Sequence, residues 1–470
     1  VHLEWWSVLP FVAMLASIAV FPLIPATTHW WEKTSSQLSV ALILGIPVAI
    51  WMWIALGWEP VFAAAVEYGQ FIALLLALFV VSGGIFLKGD IQATPRNNTI
   101  FLGIGGVLAS FVGTTGAAML LIRPLLNTNS ERKYRVHTVL FTIFIVANCG
   151  GLLTPLGDPP LFLGFLRGVP FTWTFNLFPE WLFVNALLLV SYYAVDCHYH
   201  AKEPVANVME DRTHIEPLGL RGATNLVWFA VIIAAVAFAP SVDVHAIEEG
   251  HAVLTDWIPT REIIMIAAAA CSYFFGNREV RFKDNQFEWG PIAEVAALFI
   301  GIFFTMIPAL HFLDEVAGKL PLGKVTFFLF TGGLSSVLDN APTYVTFFEM
   351  ASQITPEGVA TVAGVAEAFL VSISLGAVFC GAITYIGNGP NFMVKSVAES
   401  RGVTMPTFGG YIVQSFRYLI PVLAAMVCLF IADQLWAKIL GGVIVVALLA
   451  RSAVLIVQSQ RREKVSSSDA

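Results

Sequence analysis

Charge is what this sequence has least of. Only 12% of its 470 residues are Asp, Glu, Lys or Arg, against about 25% in soluble globular chains. That scarcity excludes a disordered chain, a nucleic-acid binder and an ordinary soluble enzyme. Cysteine is scarce as well. Cys149, Cys197, Cys271, Cys380 and Cys428 show no Cys-x-x-Cys or Cys/His ligand spacing, so neither a disulfide framework nor a zinc site is expected. These thiols read as small apolar packing residues. His198-x-His200 is expected in a polar loop, solvated rather than metal-bound. There is no Gly-rich phosphate loop, nucleophile elbow or His-Glu-x-x-His, so neither an enzyme nor a bound cofactor is expected.

What is there is apolar. Hydrophobic residues make up 57% of the chain, and mean hydropathy is +0.77. A helix that crosses a bilayer needs about 20 mostly apolar residues. Such stretches fall near 6–26, 37–58, 66–88, 98–127, 136–165, 171–195, 225–240, 260–275, 291–311, 324–350, 368–395, 411–433 and 436–457. The fold class is therefore an all-α polytopic membrane protein whose partner is the lipid bilayer. Trp5, Trp6, Trp58 and Trp289 read as interfacial belts.

Two stretches are interrupted at mid-length. One contains Gly113-Thr114-Thr115-Gly116, the other Ser335-Ser336 and Asp339-Asn340-Ala341-Pro342. Such breaks cannot face lipid, so 98–127 and 324–350 are read as re-entrant hairpins, which leaves eleven spans. With the tail (Arg461, Arg462, Lys464) in the cytoplasm, most other basic residues also fall there: Lys88, Arg96, Arg132, Lys133, Arg135, Lys202, Arg212, Arg221, Arg278, Arg281, Lys283, Lys395 and Arg401. The positive-inside rule favours this arrangement. It puts the N-terminus of this numbering outside. The tail from 460 onward is expected to be disordered.

The two halves of the chain resemble each other. Gly151-Leu-Leu-Thr154-Pro-Leu-Gly157-Asp158-Pro159-Pro160-Leu-Phe162 aligns with Gly381-Ala-Ile-Thr384-Tyr-Ile-Gly387-Asn388-Gly389-Pro390-Asn-Phe392 at an offset of 230 residues. Glu67-Tyr68-Gly69-Gln70 aligns likewise with Glu288-Trp289-Gly290-Pro291, and Gly105-Gly106 with Gly332-Gly333. The expected organisation is a first repeat over 1–195 and a linker over 196–224. A second repeat of opposite orientation follows over 225–433, then an extra helix and basic tail over 434–470. Each repeat has five spans and one hairpin. In transporters built this way, paired Gly/Pro-broken segments mark a midplane binding site.

The broken segments offer hard oxygen ligands. Thr114, Thr115, Thr154, Ser335, Ser336 and Thr384 supply hydroxyls; Asn148, Asn340 and Asn388 supply amides; Asp158 and Asp339 supply charge. Such a set suits Na⁺ rather than a soft metal. An ionised Asp at mid-bilayer costs at least about 2.5–3.5 kcal/mol, and no Lys or Arg lies in the broken regions to pair with either aspartate. A proton or a cation can neutralise such a group, and competition between the two is the minimum requirement for exchange. The plainer reading is that an Asp only caps a half-helix. It is weighed for both, and more heavily for Asp158 in Gly-Asp-Pro-Pro than for Asp339. Glu294, one turn inside its span, is interfacial or faces the bundle interior.

These residues resemble the ion transporter superfamily, which includes dicarboxylate/citrate symporters, arsenite pumps and NhaD-type sodium/proton antiporters. Ala147-Asn148-Cys149-Gly150-Gly151 with Thr154-Pro155-Leu156-Gly157-Asp158, and Ser335-Ser336-Val337-Leu338-Asp339-Asn340-Ala341-Pro342, are most similar to the NhaD-type motifs. The resemblance implies Na⁺ (or Li⁺) and proton exchange at Asp158, Asp339, Asn148, Asn340 and Ser336, a homodimer, and a bacterial-type inner membrane. The chain departs from the motif at Pro159-Pro160, where those antiporters favour hydroxyl residues, and this bears on the ligand set. Gly113-Thr114-Thr115 also differs from the Ser-Asn-Thr tip of the dicarboxylate symporters. The leading expectation is Na⁺/H⁺ antiport. The alternatives are a Na⁺-coupled di- or tricarboxylate (citrate) symporter, an anion or arsenite exporter, and a membrane enzyme or assembly subunit on the same scaffold.

Overall fold

The computed structural model describes residues 3–468, most of them helical. Among the described residues five helices are long and apolar enough to cross a bilayer: Thr34–Leu56, Glu59–Ser82, Phe171–His200, Gly290–Phe312 and Leu435–Val465. Their outer faces carry bare apolar side chains such as Ile43, Ile54, Val443 and Val446, as lipid-facing helices must. Thr34–Leu56 packs closely on Gly290–Val316. A Cβ on Gly301 would meet the Ala41 backbone at 2.8 Å, so small residues set the approach of the two helices.

The remaining apolar runs are broken. Pro95–Val112 and Thr114–Thr128 meet at Gly113, whose φ of +85° only glycine adopts freely. The two helices fold back on each other: a Cβ on Gly105 would strike Leu121, and these residues stand eight positions either side of Gly113. Lys324–Ser335 and Asn340–Gln353 form the second hairpin. There Phe327 and Phe347 face each other, with ring centroids 6.5 Å apart. Nearly every residue of Asn340–Gln353 is buried. A short, polar helix of this kind is tolerated at membrane depth only when protein surrounds it.

The two motif-bearing runs also unwind. Val136–Ile145 ends before Asn148, and the chain restarts as helix only at Pro159–Leu166. Glu367–Cys380 ends likewise, and Gly389–Ser400 restarts it. Asp158 and Asn388 hold the two N-cap positions with nearly the same backbone (φ −141°, ψ 143° and φ −153°, ψ 139°). Thr154 Oγ1 donates to the Ser110 carbonyl and accepts from the Leu156 amide at 3.2 Å. Thr384 Oγ1 does the same with the Ser336 carbonyl and the Ile386 amide, also at 3.2 Å. Equal sequence thus makes equal local structure in both halves, with each threonine fastening an unwound segment to the hairpin of its own half.

Some expectations need correction. The run 6–26 is not one straight helix. Its helix turns by 101° between Trp5–Val20 and Pro25–Trp31, because Pro22 and Pro25 cannot continue the ladder. The tail beyond 460 is not disordered in its described part, since the final helix continues to Ser468. Extending an anchored helix is far easier than nucleating one. The linker 196–224 is not a plain loop. Phe178–His200 runs into it, so His198 and His200 sit in a helix end. Val205–Thr213 is helical, and Glu216–Arg221 pairs antiparallel with Phe86–Asp90.

Candidate functional site

Both hairpin tips and both unwound segments converge on the Asp158 carboxylate. It is 1% exposed. Thr114 Oγ1, from the first hairpin, donates to Oδ1 at 3.0 Å. Asn388 Nδ2, from the matching position of the other half, donates to Oδ1 at 3.2 Å. Asn340 Nδ2, from the second hairpin, donates to Oδ2 at 2.6 Å. Among the described residues no Lys, Arg or His pairs with Asp158 or Asp339. A buried carboxylate held only by neutral donors keeps its full charge to be neutralised, and a proton or a cation can do that.

Asn340 is fully buried, and its Oδ1 has no hydrogen-bond partner among the described residues. An orphaned buried acceptor is costly. Here it belongs to the side chain that touches Asp158, so the pair presents oxygens suited to a hard cation.

A second layer braces the first. Asn148 Oδ1 accepts from Asn388 Nδ2 at 3.2 Å, and its Nδ2 donates to Asn391 Oδ1 at 2.6 Å. Asn391 in turn donates to the carbonyls of Gly381 (2.8 Å) and Thr384 (2.9 Å). Sequence reasoning missed Asn391, which occupies a variable position of the repeated motif. Its signal was an amide within an otherwise apolar run. Ser110 was also missed; it donates to the Gly150 carbonyl at 2.5 Å.

Not every expected site residue reaches the carboxylate. Thr154 and Thr384 spend their hydroxyls on backbone, and Ser336 Oγ donates to the Gly333 carbonyl at 2.7 Å. Thr115 lines the cavity beside Asp158 without bonding to it. The capping reading, weighed more heavily for Asp158, fits Asp339 instead. Asp339 caps its helix, with Oδ1 accepting from the Ala341 amide at 3.1 Å. Asp158 holds an N-cap position but makes no capping bond. Glu294 faces inward, accepting from Gln37 Nε2 at 2.7 Å.

The cavity at Asp158 measures about 100 Å³ and is lined by Phe71, Leu78, Thr114, Thr115, Pro159 and Met393 among others, with no Lys or Arg. It shares Phe79, Thr115, Pro291 and Met393 with a cavity of about 310 Å³ that also reaches Arg123, Asn285 and Glu288. The two cavities therefore share walls, and the second lies at the end of Glu59–Ser82 that bears Ser82.

No curated protein matches this chain. Residues 1–431 match the model of a family described as "Putative citrate transport". This match covers all of both hairpins and both unwound segments, and the chain belongs to that family of secondary transporters.

Proposed function

We propose that this transporter exchanges Na⁺ (or Li⁺) for protons by alternating access, with Asp158 holding one ion or the other. The supporting observation is a buried carboxylate with three neutral donors, no fixed counter-charge, and the orphaned Oδ1 of Asn340 beside it. Na⁺ would take oxygens from Asp158 and Asn340, with Thr114 close by. A proton would take the carboxylate alone. In this reading Asp339 caps its helix at the second tip and does not hold the ion. The halves are read as inverted repeats in a bacterial-type inner membrane. The basic tail favours a cytoplasmic C-terminus, and the NhaD-type resemblance favours a homodimer.

Na⁺-coupled symport of citrate is the second reading, favoured by the description of the family. It would use the same cation site. Against it stands the lining of the Asp158 cavity, which has no basic residue to meet a carboxylate. Proteoliposomes with an acid interior and a pH-sensitive dye separate the two. Dequenching on adding NaCl or LiCl, but not KCl, supports antiport. Silence toward every chloride salt, with Na⁺-driven uptake of labelled citrate, replaces it with symport.

A further inference from the structure

Two charged clusters flank Asp158, one toward each end of helix Glu59–Ser82. The first is centred on Arg167, which ends helix Pro159–Leu166. Its Nε donates to Glu349 Oε1 at 3.1 Å, and its Nη1 donates to Glu67 Oε1. Glu349 belongs to the second hairpin and Glu67 to Glu59–Ser82, so one guanidinium ties three elements together. All three line a cavity of about 870 Å³. This cavity shares no lining residue with the one at Asp158, whose walls include the fully buried Phe71 and Phe162. Arg261, which lines the larger cavity, lies over the Phe162 ring at 5.8 Å and the Phe165 ring at 5.3 Å.

The second cluster lies at the other end of the helix. Glu67 and Gly83 are 16 residues apart, about 24 Å of helix. Here the cavity of about 310 Å³ that shares walls with the Asp158 cavity is lined by Arg123 and Glu288. Their sequence positions mirror the first cluster. Glu288 aligns with Glu67 in the repeated Glu-aromatic-Gly stretch. Arg123 lies ten residues past Gly113, and Glu349 ten residues past Asp339. Arg401 ends helix Gly389–Ser400 as Arg167 ends its counterpart. Their bonding does not mirror it. Among the described residues no ion pair joins Arg123 to Glu288. Arg123 donates instead to the Asn285 carbonyl, and Arg401 to Asn127 Oδ1 at 2.7 Å.

We infer that these clusters are two alternating ionic gates. Arg167 bound to Glu67 and Glu349 closes one route to Asp158 in this state. Arg123 paired with Glu288 closes the other route once Arg167 releases. The inference rests on the alternating-access part of the proposed function, not on the identity of the ion. Removing Arg167 leaves Glu67 and Glu349 facing each other unneutralised, which drives their elements apart and shifts the population toward the opposite state.

The test is labelling by a membrane-impermeant maleimide in native membranes, with the unmodified chain as blank for its own cysteines. Ser396→Cys reports the Arg123 cavity and Ala63→Cys the Arg167 cavity; both residues line the cavity they report. Arg167→Gln is expected to slow labelling of Ser396→Cys about tenfold and to speed that of Ala63→Cys. Adding Arg123→Gln to Arg167→Gln, so that the second gate cannot close, is expected to restore Ser396→Cys labelling. Unchanged labelling in Arg167→Gln, or no restoration in the double variant, overturns the gates. Should Arg167→Gln fail to accumulate, Glu349→Gln, which keeps the Arg167–Glu67 pair, must move both rates the same way by a smaller factor. Labelling needs no ion gradient, so the two readings fail separately. Unchanged labelling with intact Na⁺-driven proton flux removes the gates alone. A full gate response without that flux removes the antiport reading alone.

Discussion

Replacing Asn340 by Ala removes two things at once: the 2.6 Å donor to Asp158 Oδ2 and the free Oδ1 beside it. Among the described residues no other side chain donates to Oδ2. A hydrogen bond to a charged group contributes about 1.5–3 kcal/mol. At about 1.4 kcal/mol per tenfold, loss of the donor alone raises the Na⁺ concentration for half-maximal exchange about 10- to 150-fold. Alkaline pH, which removes competing protons, should recover part of the lost affinity. The assay is Na⁺ titration of proton flux in proteoliposomes at two pH values. Ser352→Ala serves as control, since Ser352 Oγ bonds only to the Glu349 carbonyl, away from the Asp158 site. A half-saturating Na⁺ concentration in Asn340→Ala equal to that of the parent refutes the reasoning, because the contact would then be irrelevant to ion binding.

Gly157→Ala drives a Cβ into the Gly151 carbonyl, and backbone cannot step aside. A loss of at least about 1–3 kcal/mol is expected, seen as a lower melting temperature of the purified protein. Gly389→Ala, with nothing near its Cβ, should melt close to the parent, and equal melting of both variants contradicts the crossing. Asp339→Asn keeps a good capping side chain and should retain exchange, whereas Asp339→Ala should lose about 1 kcal/mol of stability. Abolished exchange in Asp339→Asn refutes the division of labour between the aspartates. Outside the membrane, Asp90 has its carboxyl pushed up to about 6 by burial, with repulsion from Glu131, Asp211 and Glu216 adding to it and His214 offsetting part. A folded value above the ordinary one means that its stabilising contribution is complete when protonated and is lost as pH rises through about 6. Protection of the amides at 216–221, corrected for the base-catalysed intrinsic exchange rate at each pH, should be higher at pH 5 than at pH 7.5. An Asp90→Asn chain that keeps this contrast counts against the assignment.

The membrane helices and breaks were legible because a bilayer permits few arrangements. Long apolar runs must be helical, and Gly113 or the Gly-Asp-Pro and Gly-Asn-Gly-Pro stretches cannot continue a helix facing lipid. Side-chain partners were less legible. The N-cap position of Asp158 fixed its backbone, yet its carboxylate turned to Thr114, Asn340 and Asn388, which lie 44, 182 and 230 residues away. Nothing local encodes that choice. Arg167 likewise meets Glu67 and Glu349 across 100 and 182 residues, so each reads in sequence as an isolated charge at a span end. The helical tail was missed because its serines and charges suit a solvated helix as well as a coil, and the long helix before it decides between them.

The central claim is that Na⁺ and a proton compete for Asp158. The most direct measurement is proton release when NaCl is added to the purified, weakly buffered protein. Each Na⁺ bound is expected to displace a proton in the parent, LiCl to act likewise, and Asp158→Asn to release none. Release that persists in Asp158→Asn, or Na⁺ binding by the parent without any proton release, contradicts it.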